Sequence, residues 1–158
     1  MIKPHGSKDL NALLVDDYQR RQMLIAEAES LPALLLNSAA AANLVMLGGG
    51  YFNPLTGFMG LDDALSVCSD LHTVNGVFWP VPIINMVSVR PCFSAGQRIA
   101  LLDPNVDGNP VMGIMDVAEI DVVTDNQLNE MTQAIFGTTD SLHPGVATFI
   151  EQGSGRLS

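Results

Sequence analysis

The chain has 158 residues, 47% apolar and only 15% charged, and carries a formal net charge of −10; its mean hydropathy is +0.27. That length suits a single domain over 1–158 with a proper core, and that composition excludes a disordered chain. The seven Lys and Arg are scattered with no basic stripe, which argues against nucleic acid and anionic membranes as partners and leaves a surface suited to a second domain or subunit.

The opening Met1-Ile2-Lys3-Pro4-His5-Gly6 has no apolar run of signal-peptide type, and a cytoplasmic protein is expected. Residues 1–15 read as irregular, because Pro4 and Gly6 interrupt regular structure; Leu13, Leu14 and Val15 are candidate anchors to the core. Asp16 or Asp17 then caps a helix running to about Ser30. Leu24, Ile25 and Ala28 share one face of it, with Leu31 a turn further on; Arg20, Glu27 and Glu29 face water. Pro32 ends that helix, and Ala33–Leu36 reads as a short buried strand. Ser38 is the expected N-cap of a second helix, Ala39–Leu47, closed by Gly48. Its four alanines favour helix and let another backbone come close.

The stretch Leu47-Gly48-Gly49-Gly50-Tyr51-Phe52-Asn53-Pro54-Leu55-Thr56-Gly57-Phe58-Met59-Gly60 organises the rest. Three glycines permit a sharp turn after the helix. Asn53-Pro54 signals a further turn. Tyr51, Phe52, Leu55, Phe58 and Met59 are too apolar for a solvated loop, so an ordered, partly buried loop pinned by aromatics is expected. One reading is a loop closing the core. The other is a phosphate cradle, against which stand the missing Lys-Ser/Thr, the unmatched glycine spacing and the position after a helix rather than before one.

Asp62 is the expected cap of a third helix, Asp63–Leu71, with Ala64, Leu65, Val67 and Cys68 as candidate core. Val74-Asn75-Gly76-Val77 is the strongest hairpin signal. Phe78–Val89 follows as an extended strand, confined by Pro80 and Pro82 to an edge or bulge. Arg98–Asp103 reads as a strand, Pro104–Pro110 as a turn, and Val111–Val123 as a strand pair or one strand bent at Gly113. Thr124 or Asp125 caps a last helix, Asn126–Phe136, closed by Gly137, with Leu128, Met131, Ala134 and Ile135 on its apolar face. Val146–Ile150 reads as a final strand and Gln152–Ser158 as a frayed tail. The order of elements is α+β.

Residues capable of chemistry are dispersed. His5, His72 and His143 have no second ligand at metal spacing, and there is no C-x-x-C. Cys68 and Cys92 read as free thiols, with a Cys68–Cys92 disulfide as the alternative. Asp62-Asp63 fits a helix N-terminus and Asp103 with Asp107 a turn. The densest polar cluster is His143-Pro144-Gly145 with Thr138 and Asp140, either an interdomain hinge against an active site or a turn with capping roles. No catalytic, cofactor-binding or metal residue is assigned.

Several segments carry a resemblance. Gly50-Tyr51-Phe52-Asn53-Pro54-Leu55-Thr56-Gly57-Phe58-Met59 resembles the G-x-F-x-P-L-x-G-F-M segment of the ATP sulfurylase (sulfate adenylyltransferase) family. Gly76-Val77-Phe78-Trp79-Pro80-Val81-Pro82-Ile83 resembles its G-x-x-W-P-I-P-I strand. Phe136-Gly137-Thr138-Thr139-Asp140 followed by His143-Pro144-Gly145-Val146 resembles its F-G-T-x-D…H-P-G-V segment. With Ile2-Lys3-Pro4-His5-Gly6-Ser7 they span nearly the whole chain. Ala39 and Asn43 stand where an Arg and an Asp are usual, a version that resembles enzymes of bacteria with dissimilatory sulfur metabolism.

The resemblance implies a PUA-like β-barrel with packed helices. It also implies a nucleotidyltransferase parent that converts ATP and sulfate to adenosine 5′-phosphosulfate and pyrophosphate, or the reverse, with Mg-ATP and sulfate as substrates. The family's catalytic Q-x-R-N-P, H-x-x-H and G-R-D segments follow H-P-G-V in a second domain; none occurs here. The expectation is therefore an N-terminal domain alone, without a cofactor, inactive by itself, whether a proteolytic fragment or a truncated gene product. Its partners would be the catalytic domain of the same protein and, in the full-length form, further copies of itself. A stand-alone PUA-like interaction module is the alternative.

Overall fold

The computed structural model describes residues 3–153. The chain groups into two compact units, one from the N-terminus to Phe58 with Cys92–Glu119, the other Met59–Pro91 with the chain from Ile120 onward.

The first unit is built on a three-stranded sheet. β1 (Ala33–Leu35) runs parallel to β2 (Arg98–Leu102), and β2 runs antiparallel to β3 (Val111–Asp116), in the order β1-β2-β3. β2 is the middle strand, and Ile99, Ala100 and Leu101 are almost fully buried in succession. A strand covered on both faces needs such a continuous apolar run rather than alternation. Each large side chain of that run contributes about 1.5–3 kcal/mol by burial. β1 is an edge strand and not the buried one expected: Leu35 is 52% exposed and only Leu36, beyond the strand, is fully covered. β2 and β3 are joined through the expected 104–110 turn, in which Asp103 Oδ1 accepts the Asn105 N–H and Asn109 Nδ2 donates to the Asp103 carbonyl. β3 ends at Asp116, so residues 117–123 do not prolong it as expected. The α+β expectation holds, whereas among the described residues the sheet has three strands and a closed barrel is not seen.

Two helices accompany this sheet. α1 (Tyr18–Ala28) is capped by Asp17, whose Oδ1 accepts the Arg20 N–H at 2.7 Å. Its apolar stripe is thin: Ala28 is buried but Ile25 is 40% exposed. Glu27 does not simply face water, because its Oε1 lies 3.0 Å from Arg98 Nη1. α2 (Ser38–Gly48) packs its small face into the core, with Ala40 and Ala41 beside Leu36, Phe93, Ile99, Leu101 and Val117. Its cap is Asn37 and not Ser38. The Asn37 Oδ1 accepts the Ala40 N–H at 2.8 Å, while Ser38 is already helical and its hydroxyl donates to Asn105 Oδ1. Asn and Ser are near-equal caps, so propensity could not separate these neighbours.

The second unit holds three helices: α3 (Leu61–Asp70), α4 (Asp125–Phe136) and α5 (Pro144–Gly153). Val67, Met131, Thr132 and Val146 are its most deeply buried side chains. α4 begins and ends as the sequence reading expects. Thr124 and Gln127 form a reciprocal capping box, and Gly137 closes the helix at φ +70°. On its apolar face Thr132 takes the place expected for Ala134, its hydroxyl donating to the Leu128 carbonyl at 2.6 Å.

Three expectations are corrected in this unit. α3 is not capped by Asp62. Its N-cap is Gly60, which has no side chain to offer, and Asp121 Oδ2 accepts the Leu61 N–H at 3.2 Å instead. The Asn75-Gly76 turn forms, with Gly76 at φ +79° and the Thr73 N–H donating to the Val77 carbonyl, but it carries only the His72–Phe78 bridge. Residues 79–89 do not continue as a strand, since Pro80 and Pro82 lack the N–H groups a ladder requires. Finally, Val146–Ile150 lies inside α5 and is no strand. Pro144 occupies the first helical position, where its fixed φ suits the helix. The Phe149 ring meets Phe136 edge-on at 5.7 Å. Gln152 and Gly153 belong to α5, and the rest of the expected frayed tail lies outside the described residues.

Candidate functional site

The loop after α2 is ordered and partly buried, with Phe58 packed against the core of the first unit as expected, and it has a polar pin besides. Tyr51 is 76% exposed, whereas Asn53 is 5% exposed. Asn53 Nδ2 donates to the His5 carbonyl and to Ser7 Oγ, each at 2.7 Å, and its Oδ1 accepts the Asn11 N–H at 2.9 Å. One buried amide thus satisfies itself against three residues of the N-terminal segment. Gly50 sits at φ +75°, and a Cβ there would meet the Asn11 carbonyl oxygen at 3.2 Å and Ala12 Cα at 3.3 Å. Its lack of a side chain serves both the turn and the close passage of the N-terminal chain. Leu13 and Leu14 do not anchor by their side chains, which are 40% and 69% exposed. Both their N–H groups donate instead to the Gly48 carbonyl at 2.9 Å.

That geometry removes the phosphate-cradle reading. A cradle needs free N–H groups, yet those of Gly49, Gly50, Tyr51 and Asn53 donate to the carbonyls of Val45, Leu47, Met46 and Gly50. The loop also stands at the C-terminal, electronegative end of α2, the wrong end for an anion.

The His143 cluster forms a turn that starts α5. The Asp140 N–H donates to Thr138 Oγ1, Asp140 Oδ1 accepts the Leu142 N–H, and the Asp140 carbonyl accepts the His143 N–H. His143 Nδ1 then accepts the Val146 N–H at 3.4 Å. Of the two readings offered for this cluster, these contacts carry the capping role.

The remaining candidates do not converge. His72 Nδ1 lies 2.7 Å from the Asp70 carbonyl, and its ring stands edge-on to Phe78. Cys68 is half-buried, Cys92 is exposed, and both are free thiols. Burial pushes the Cys68 thiol pKa up. Asp63 Oδ1 accepts the Val74 N–H, which ties α3 to the following turn. Among the described residues no group of three His, Cys, Asp or Glu is placed to hold a metal ion, and no helix is long and apolar enough to cross a membrane. Asn53 and Asp121 escaped the sequence reading. The buried-polar signal at Asn53 was present, an Asn inside an apolar loop, but its partners lie 42 to 48 residues away.

The sequence matches the family described as PUA-like domain over residues 2–158. The chain belongs to the PUA-like domain family. Curated relatives of this PUA-like chain are named sulfate adenylyltransferase, as the resemblance implied. It is 49% identical over 154 residues to the one from Alcanivorax borkumensis, covering 98% of this chain and 38% of that protein. It is 47% identical over 158 residues to the one from Allochromatium vinosum, covering all of this chain and 40% of that protein. The PUA-like chain therefore spans about two fifths of the length of the curated relatives it matches. Among solved structures, it is similar to one described as the hexameric APS kinase from Thiobacillus denitrificans. The TM-score there is 0.64 at 32% identity, over 80% of this chain and 24% of that one.

Proposed function

We propose that this PUA-like chain serves as the N-terminal supporting domain of a sulfate adenylyltransferase, 1–158 forming that single domain. The observation that carries this reading is the end-to-end match, at 47% and 49% identity, to proteins of that name whose remaining length it does not span. The reaction served would be adenylyl transfer from Mg-ATP to sulfate, giving adenosine 5′-phosphosulfate and pyrophosphate, or its reverse. Catalysis of that kind needs cationic and amide donors gathered at the α-phosphate. The seven scattered Lys and Arg here are poorly suited to supplying them, so the chemistry falls to a catalytic domain that this one positions. In the same reading the sheet forms part of the family's barrel. Self-association has support in the hexameric description of the similar solved structure, and two free thiols fit a cytoplasmic setting.

The test is docking. The remainder of the Allochromatium vinosum relative, expressed without its matching segment, is mixed with this chain and followed by sedimentation velocity. Co-sedimentation in a fixed ratio supports the reading. Independent sedimentation of two folded species removes the docking role and favours a stand-alone interaction module.

A further inference from the structure

We propose that residues 5–14 form a detachable strap, latched by the Asn53 side chain, that opens as one unit while the sheet of the same unit stays folded. The strap has no helix or strand and holds on by polar contacts. It hydrogen-bonds to the Asn53 amide and to the Gly48 carbonyl. Its leucines add little grip, since Leu10, Leu13 and Leu14 are 62%, 40% and 69% exposed. A segment with few buried apolar contacts and exposed backbone is the kind that opens locally, at a free energy far below global unfolding.

The far end of the strap is fixed. Arg21 Nε and Nη2 both donate to the Val15 carbonyl, at 2.9 and 2.7 Å, and Asp17 caps α1 just beyond. Opening therefore stops between Leu14 and Val15, which makes the junction a hinge. The latch is cooperative by construction. Asn53 Nδ2 holds the strap at His5 and Ser7 while Oδ1 holds it at Asn11, so rotating one side chain releases three points together. Opening uncovers the Gly48 carbonyl and the backbone of Gly50, against which Asn11 and Ala12 now lie.

Lys8 lies within the strap and gives a direct readout, since trypsin cleaves after it and Lys3 is followed by Pro4. The intact chain and its Asn53→Ala variant are digested briefly and the peptide ending at Lys8 is quantified by mass spectrometry. Release should accelerate roughly tenfold or more in the variant, because a buried amide and its partners lose their bonds. Equal cleavage rates would overturn the latch. Hydrogen exchange on the unaltered chain guards against a variant that fails to fold. The amides of Asn11, Leu13 and Leu14 should exchange together, and faster than those of Ile99 to Leu101. Exchange of both groups at one rate would mean that the strap opens only by global unfolding, and the proposal would be lost.

Discussion

His143 Nδ1 accepts the Val146 N–H at 3.4 Å, and the Phe136 ring stands 5.6 Å from the same imidazole. The side chain with the strongest functional appearance in the sequence thus starts a helix and packs on the end of another. His143→Ala should cost about 0.5–1 kcal/mol in urea unfolding, the usual scale for losing a cap. His143→Asn should recover most of it, because a shorter amide can accept the same N–H. Equal losses in both variants would show that ring packing on Phe136, rather than capping, is what His143 supplies.

Gly137 and Gly50 separate conformational strain from crowding. Both have positive φ, +70° and +75°, but a Cβ on Gly137 meets open space while one on Gly50 meets Asn11, Ala12 and Leu10. Gly137→Ala should destabilise by about 1 kcal/mol, from backbone strain alone. Gly50→Ala should cost roughly 2 kcal/mol or more, since the N-terminal segment must also shift. Thermal unfolding of the two variants side by side measures the difference.

The two thiols should differ in reactivity and in their effect on stability. Cys92 is exposed, whereas burial raises the Cys68 pKa. At mildly alkaline pH a disulfide reagent should modify Cys92 first, because the thiolate is the nucleophile. The native state keeps the Cys68 proton where the unfolded chain has released it. Stability is therefore unaffected below the ordinary thiol range and falls as pH rises through it toward the raised native value. Cys68→Ser should flatten that alkaline slope in urea titrations, and an unchanged slope would assign it elsewhere.

Packing at the middle strand sets the largest single-residue cost. Ile99 is fully buried in the core cluster that includes Leu36 and Val117. Ile99→Val should cost about 0.5–1.5 kcal/mol and Ile99→Ala about 2–5 kcal/mol in equilibrium unfolding.

Local chemistry was legible in the sequence wherever it depended on neighbours. The Thr124–Gln127 capping box, the Gly137 stop, the Asp17 cap and the Asn75-Gly76 turn all rest on residues within a few positions. Readings failed where distant partners decide. Val146 to Ile150 is the exception: it is strand-prone by composition, yet the neighbouring His143 cap and Pro144, with the Phe136–Phe149 contact, make it helix. Asn53 reads as a turn residue, and only the return of His5, Ser7 and Asn11 makes it a buried hub. Gly60 leaves α3 without a cap of its own, and Asp121, 60 residues beyond Leu61, replaces it. The family resemblance, carried by contiguous motifs, did not depend on any of these long-range partners.

Sulfate-dependent release of pyrophosphate from Mg-ATP tests the central claim most directly, measured on this chain alone and then with the remainder of the Allochromatium vinosum relative added. A supporting domain predicts no turnover above blank for the chain alone and turnover once the remainder is present. Sulfate-dependent turnover by the chain alone would contradict the account and would put the reacting groups within these 158 residues.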